Sequence, residues 1–379
     1  MHQSIKNTFI ELFNQEPLLV YSPGRINLIG EHTDYNGGYV LPAAIDKKMV
    51  VAIAENDTKK GRVYSVDLEE EYSFDIDSFP PKKGHWATYI MGVVSQLQQA
   101  GYVVKGFDMV FGGDIPVGAG LSSSAALECA VGFALSELFG LGISKRSIVH
   151  YAQKAEHTFA GVQCGIMDQF ASVMGKKDHA IRLDCRTLDF DYFPIDLGKY
   201  KILLIDTQVK HSLADSAYNK RRLECEEGVN AAQKIQADVQ DLRDISLDLL
   251  DQLSLSETVY KRCRFVVEEN QRVLDSCEFL SKGDLDGFGK KVYQSHDGLS
   301  KLYEVSCEEL DFLVDFTRKI PEVLGSRMMG GGFGGCTINI VHEDFVAQLQ
   351  AEVVEAYQEK FNKSPKFFIV SPEQGTGLL

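Results

Sequence analysis

The sequence predicts a mixed α+β chain of two domains, and three observations carry that expectation. At 379 residues the chain exceeds what a single hydrophobic core usually serves. Residues 49–76 alternate apolar and polar side chains in short runs, Val50-Val-Ala-Ile53, Arg62-Val-Tyr-Ser65 and Tyr72-Ser-Phe-Asp-Ile76, with charged turns between them; this reads as an antiparallel meander. Apolar residues recur at helical spacing elsewhere, after residue 122 at Ala125, Ala126, Leu127, Ala130, Val131, Ala134 and Leu135, and through the acidic tract 226–320. Residues 194–200 form the predicted boundary, which divides the chain into 1–197 and 198–379.

The amphipathic face of residues 1–16 collects Ile5, Phe9, Leu12 and Phe13, a helix laid on a core. Leu18 to Tyr21 is a strand that enters an unusual stretch. Between Arg25 and Tyr35 stand a guanidinium, two carboxylates, an imidazole, an amide and two hydroxyls, with Ile26, Leu28 and Ile29 threaded through them. The apolar residues anchor the segment and leave the polar ones converging, which suits a ligand rich in hydroxyls. Trp86, the single tryptophan, precedes a helix carrying Ile90, Val93, Val94 and Leu97, and its position is that of a core or helix-start aromatic.

Residues 113–135, GDIPVGAGLSSSAALECAVGFAL, follow an alternating strand at 107–111 and read as strand, glycine loop, helix. Gly118 and Gly120 let the backbone turn, and Ser122, Ser123 and Ser124 stand where the orphan N–H groups of the helix point outward. Such an end either binds an anion or is simply capped by serine. It is not a P-loop, because no lysine follows the last glycine, and serine replaces the third glycine of a dinucleotide fingerprint. In the next helix, 144–159, Glu156 lies within the apolar face of Ile148, Val149, Ala152, Ala155 and Phe159. A buried carboxylate needs a cation, either a Lys or Arg partner or a metal. Gly161 ends that helix, Gly165 opens a turn, and Asp168 falls in the first turn of a short helix, where it suits either a helix-capping acid or a proton acceptor. Residues 201–206 restart as a buried strand, 212–218 lead into a charged helix, and a glycine cluster at 325–335 precedes the strand 336–341.

The net charge of −15 argues against nucleic acid and anionic membrane as partners. Eight cysteines without a C-x-x-C pair fit a reduced chain, and no secretory leader or membrane-length apolar run is present, so a cytoplasmic protein is expected.

The run GRINLIGEHTDYNGG at 24–38 closely resembles the signature of galactokinases, within the kinase family named for galactose, homoserine, mevalonate and phosphomevalonate. The loop at 116–124 resembles that family's second motif, which holds the phosphates of ATP, and 325–335 resembles its third, a glycine loop that closes over the site. The resemblance implies the two-domain GHMP kinase fold, with a ribosomal-protein-S5-like N-terminal domain and a C-terminal α+β domain with an antiparallel sheet. It implies sugar contacts from Glu31, His32, Thr33, Asp34, Gly165 and Tyr218, with Arg25 near the reacting centre. GIMDQ at 165–169 resembles the stretch carrying the presumed base, here Asp168. Gly118, Ala119, Gly120, Leu121, Ser122, Ser123 and Ser124 would cradle ATP, Ser65 and Trp86 would flank its adenine, and Ser124 with Glu156 would hold Mg²⁺. The implied substrates are galactose and Mg-ATP, and a monomer is expected. Two neighbouring readings share the motifs: a kinase for N-acetylgalactosamine or arabinose, and a non-catalytic galactose sensor. The complete run Ser122 to Ala126 speaks against the sensor.

Overall fold

The computed structural model describes residues 1–379 other than 83, 117 and 210–213. Of the stretches singled out above, residue 117 of the glycine loop and residues 212 and 213 of the approach to the charged helix lie outside the described residues.

Helix α1 (His2–Phe13) buries Ile5 and Phe9 against Val50, Ala52 and Val110. Leu12, expected on the same face, is 49% exposed, because helical periodicity sets an angle and not where the surface beneath ends. Strand β1 (Leu18–Asn27) continues past Tyr21 into the polar signature, so Arg25 is held on a strand and not in a loop. It is followed by β2 (Tyr39–Val40), β3 (Pro42–Glu55), β4 (Lys60–Ser65), β5 (Glu70–Asp75), α2 (Ala87–Gln99) and β6 (Phe107–Gly113). The sheet runs in the order β1-β3-β6-β4-β5. This corrects the meander: β4 and β5 pair antiparallel, but β6 inserts between β3 and β4 and runs parallel to β4. Alternation reports which side chains face a core, and it carries no information about which strand lies alongside.

Helix α3 (Ser123–Leu138) is apolar on almost every side and is correspondingly buried, packed against β1 and β3 and among α2, α4 (Lys145–Ala155) and α5 (Met167–Met174). Ser144 caps α4 by accepting from Ser147 N, and α4 then widens into a π-helical turn, Glu156–Ala160. Such turns are rare and cluster at functional sites. Strands β7 (His179–Asp184) and β8 (Phe190–Pro194) form a small sheet with β2.

The second half opens with β9 (Tyr200–Asp206), then α6 (Ala214–Gln233), α7 (Leu247–Leu250), α8 (Glu257–Lys282), α9 (Leu285–Gly298) and α10 (Glu308–Thr317). It continues through β10 (Val323–Met328), β11 (Cys336–His342), α11 (Val346–Phe361) and β12 (Lys366–Val370). Its antiparallel sheet has the order β10-β11-β9-β12. The final strand, β13 (Gly377–Leu378), returns to pair with β1 in the first sheet. Helix α8 rests on β2 and β8, and its Val273 and Cys277 join Leu28, Ile29 and Val40 in one core cluster. The polar signature is therefore packed between the two halves. All eight cysteines are free, and no helix among the described residues is long and apolar enough to cross a membrane.

Candidate active site

The site is built outward from Arg25, which is 5% exposed. The β1–β3 register shifts between Pro23 and Arg25, where Gly24 alone stands opposite residues 45–47 of β3, and a Cβ on Gly24 would stand 2.7 Å from the Leu121 carbonyl oxygen. The Arg25 guanidinium donates to both oxygens of Asp168, from Nε to Oδ1 at 2.8 Å and from Nη2 to Oδ2 at 2.9 Å, while Nη1 donates to the Gly120 carbonyl at 2.6 Å. Ser122 Oγ donates to Asp168 Oδ2 at 2.5 Å from a left-handed backbone conformation with φ of 58°. Asp168 thus faces Arg25 and Ser122 and makes no cap to its own helix. A carboxylate offers about four lone-pair sites. Three are taken, and the remaining one is on Oδ1.

Beside this pair lies a cavity of about 310 Å³ lined by Arg25, Glu31, His32, Asp34, Glu156, Gly165, Asp168 and Tyr218, together with 160–164 and 330–333. That is the lower end of the ~300–1,000 Å³ common for small-molecule sites. The structure thus brings together five of the six residues expected to meet a sugar. Thr33 is the exception: fully buried and outside the lining, it turns its hydroxyl toward the carbonyls of Gly30 at 2.9 Å and Tyr39 at 2.6 Å. Burial, reinforced by the charge of Asp168, pushes the Asp34 carboxyl up to about 7. Gly165 is required beside it, because a Cβ there would fall 1.6 Å from Asp34 Oδ2. Burial, with Arg221 nearby, pushes His32 down to about 3, so its ring is neutral. Its Nδ1 shares a hydrogen bond with Tyr35 Oη at 2.8 Å. Burial raises the Tyr218 phenol well above its ordinary range, leaving an uncharged donor and acceptor at the wall.

Glu156, 8% exposed at the start of the π turn, accepts from Ser124 Oγ at 3.2 Å, Gln169 Nε2 at 2.8 Å and Cys164 Sγ at 3.4 Å. Among the described residues no Lys or Arg pairs with it. Burial, then the charge of Asp168, raises its carboxyl above the usual range. Glu128 beneath it is fully buried, and burial with the Glu156 charge raises that carboxyl further. Serine capping does not explain the glycine loop, since Ser122 makes no cap bond to α3 and its hydroxyl, like that of Ser124, turns to a carboxylate.

Ser65 and Trp86 share Phe111 as a neighbour. Ser65 lies opposite Phe111 across the β4–β6 ladder, and the Trp86 ring stands 5.2 Å from Phe111 with its Nε1 donating to Glu70 at 2.8 Å. Neither lines the cavity, and neither do residues 118–124.

Beyond Tyr218 and the glycine loop at 325–335, sequence reasoning passed over the contribution of the second half. Gly330 N donates to Glu31 Oε1 at 2.8 Å, and Arg327 reaches the same oxygen at 3.1 Å. Tyr303 Oη meets Tyr35 Oη at 2.8 Å behind His32, and Glu269 of α8 accepts from Gly30 N at 3.0 Å. The glycines at 330–332 signalled a loop near the site. Glu269 and Tyr303 carried no signal, because in a charged helical tract they look like any surface residue.

Residues 88–176 match the GHMP kinases N terminal domain, 7–55 the galactokinase galactose-binding signature, and 277–359 the GHMP kinases C terminal family. The chain is 44% identical over 356 residues to the galactokinase of Thermosipho africanus, an alignment covering 94% of this chain and 98% of that one. It superposes on the crystal structure of Lactococcus lactis galactokinase complexed with galactose with a TM-score of 0.95, at 38% identity and covering 100% and 99% of the two chains. The mevalonate kinase of Methanococcus jannaschii, 18% identical, shares the fold at a TM-score of 0.68 over 95% of this chain and 99% of that one.

The raised Asp34 carboxyl has a signed consequence for stability. The folded chain keeps this proton to about pH 7, whereas the unfolded chain releases it near the ordinary carboxylate value. The group's unfavourable contribution therefore grows as pH rises through that window and is complete above it. Asp34→Asn should raise the melting temperature of the ligand-free protein more at about pH 8 than at about pH 5. Thermal unfolding at both values checks this, and an equal gain at the two would show that Asp34 ionises normally.

Proposed function

The chain belongs to the galactokinase family, and from that membership we propose that it transfers the γ-phosphoryl group of ATP to the anomeric hydroxyl of α-D-galactose, giving α-D-galactose 1-phosphate and ADP. It is an ATP-dependent sugar kinase. The observation that carries the assignment to this chain's own residues is the bidentate Arg25–Asp168 pair at the wall of a cavity whose polar lining suits a neutral polyol.

Phosphoryl transfer demands positioning and charge neutralisation more than covalent chemistry. In this reading Asp34, Glu31, His32 and Tyr218 hold the sugar hydroxyls, and Thr33 shapes the loop behind them. Asp34 accepts best as a carboxylate, so sugar binding near neutral pH favours its ionised form. The free lone pair on Asp168 Oδ1 receives the anomeric proton, while Arg25 keeps the carboxylate in one plane. Of the five N–H donors on that guanidinium three are engaged, and the other two offset charge on the transferring group. Residues 118–124 and the first turn of α3 offer unpaired N–H groups to the phosphates. Ser65 and Trp86 flank the adenine.

The residues present fit Mg²⁺. Glu156 is buried without a cationic partner among the described residues and shares a hydrogen bond with Ser124, and no group of three or more His, Cys, Asp or Glu side chains there could form a metal cage. Two protein oxygens, with the remainder supplied by phosphates and water, is the donor set Mg²⁺ accepts. Bound there, it would neutralise phosphate charge. We place the division between the domains near residues 197 and 198, with the last strand returning to the first domain, and expect a cytoplasmic monomer.

Asp168→Asn should lower kcat by a factor on the order of 10²–10⁴ while galactose still binds. Turnover measured beside calorimetric galactose binding tests this; a variant within tenfold of wild type would leave Asp168 only an orienting role. Glu156→Gln should shift the magnesium dependence of activity to higher concentration without altering the far-ultraviolet circular dichroism, and an unchanged titration would make Glu156 purely structural. Gly165→Ala should raise the KM for galactose by about tenfold or more by displacing Asp34, with the KM for ATP little affected. Equal effects on the two substrates would remove Asp34 from the sugar wall.

A further inference from the structure

Arg327 lies in β10 of the second half and is 0% exposed. Three of the four hydrogen bonds its guanidinium donates cross to the signature carried by the first half. Nε donates to the Leu28 carbonyl at 3.0 Å, and Nη2 donates to the Asn27 carbonyl and, at 3.1 Å, to Glu31 Oε1. Nη1 turns back to the Met328 carbonyl at 2.6 Å. The neighbouring Gly330 N donates to the same Glu31 oxygen at 2.8 Å.

Burying a guanidinium is expensive, and well-packed apolar residues often give equal or better stability in such positions. The charge and the planar fork of Arg327 therefore serve geometry more than cohesion. Its acceptors are the backbone just before Glu31 and the side chain of Glu31 itself, so the arginine holds both the path of the strand and the rotamer at its end. Two donors saturate Oε1. Oε2 makes no protein hydrogen bond among the described residues, and Glu31 lines the cavity.

We propose that Arg327 is a positioning residue for the sugar: it turns Glu31 so that Oε2 is presented to a galactose hydroxyl, and so makes the third glycine motif part of the sugar site. This rests on the reading that Glu31 contacts the sugar. A lysine offers a point charge on a flexible stem and cannot span two carbonyls and a carboxylate at once. The same reasoning separates affinity from turnover. Glu31 acts on the bound sugar before and during transfer, so its misplacement weakens both states alike and raises KM without lowering kcat.

The test compares Arg327→Lys, Glu31→Gln and the double variant in steady-state kinetics, with thermal unfolding of each. Arg327→Lys should raise the KM for galactose by about tenfold or more, with kcat and the KM for ATP within about twofold of wild type. The factors for the two single variants should not multiply in the double variant, because both act through one carboxylate. A lysine variant that melts early yet keeps its KM for galactose would make Arg327 merely structural, and multiplicative factors would likewise overturn the proposal. If Glu31→Gln by itself leaves the KM unchanged, the sugar contact fails and the proposal with it. If only Arg327→Lys is silent, the contact stands and the positioning role falls. Should the lysine variant not fold, a crystal structure of the wild-type galactose complex decides: Oε1 on Arg327 with Oε2 on a sugar hydroxyl supports the role, and an Oε1 that has left Arg327 overturns it.

Discussion

The pair between buried Arg25 and partly buried Asp168 is the constraint around which the first half is arranged. A guanidinium 5% exposed must find acceptors for its donors, and from β1 it finds them on two other elements: α5 supplies the carboxylate, and the glycine loop supplies the Gly120 carbonyl. The loop is consequently fastened to the Arg25–Asp168 pair and not merely near it. The left-handed backbone of Ser122 is a local cost that this arrangement overrides. Losing the carboxylate would leave the Arg25 charge buried.

The surroundings of that pair are acidic. Asp34, Glu31, Glu156 and Glu128 stand around Asp168, and Asp34, Glu156 and Glu128 are displaced upward first by burial and then by the charges of neighbouring carboxylates. A neutral polyol enters such a site without charge penalty and supplies the donors that the carboxylates lack. A triphosphate does not, and the chain as a whole carries −15. In the reading we propose, its recognition would rest on the N–H groups at the start of α3 and on a cation beside Ser124 and Glu156.

The helical tract between the sheets gains a role from this geometry. Glu269 is fully buried, yet its oxygens are met by Gly30 N, Ser295 Oγ and Arg272 Nε. The adjacent Asn270 accepts from Tyr39 N at 2.8 Å. These contacts hold the backbone at Gly30, within the stretch that Arg327 also holds, and at Tyr39, just past the end of the polar signature. The pocket is thus a property of both halves, although most of its chemistry is written in one.

What the sequence alone determined is local and ordered by spacing. The signature at 24–38, the serines before α3 and the Asp168 turn could be read because each packs its functional groups within a few residues, where covalent geometry fixes how they relate. The strand, glycine loop and helix at 107–135 could be read for the same reason. The placement of β6 between β3 and β4 could not, since alternation is blind to neighbours. Nor could whether Asp168 caps its own helix, which it does not, or the lack of a cationic partner for Glu156 among the described residues. These were decided by contacts across more than a hundred residues, as in Arg25 to Asp168, or nearly three hundred, as in Arg327 to Glu31. The physical reason is that burial, which sets both the charge state of these groups and the partners open to them, is a quantity of the folded chain and of no segment within it.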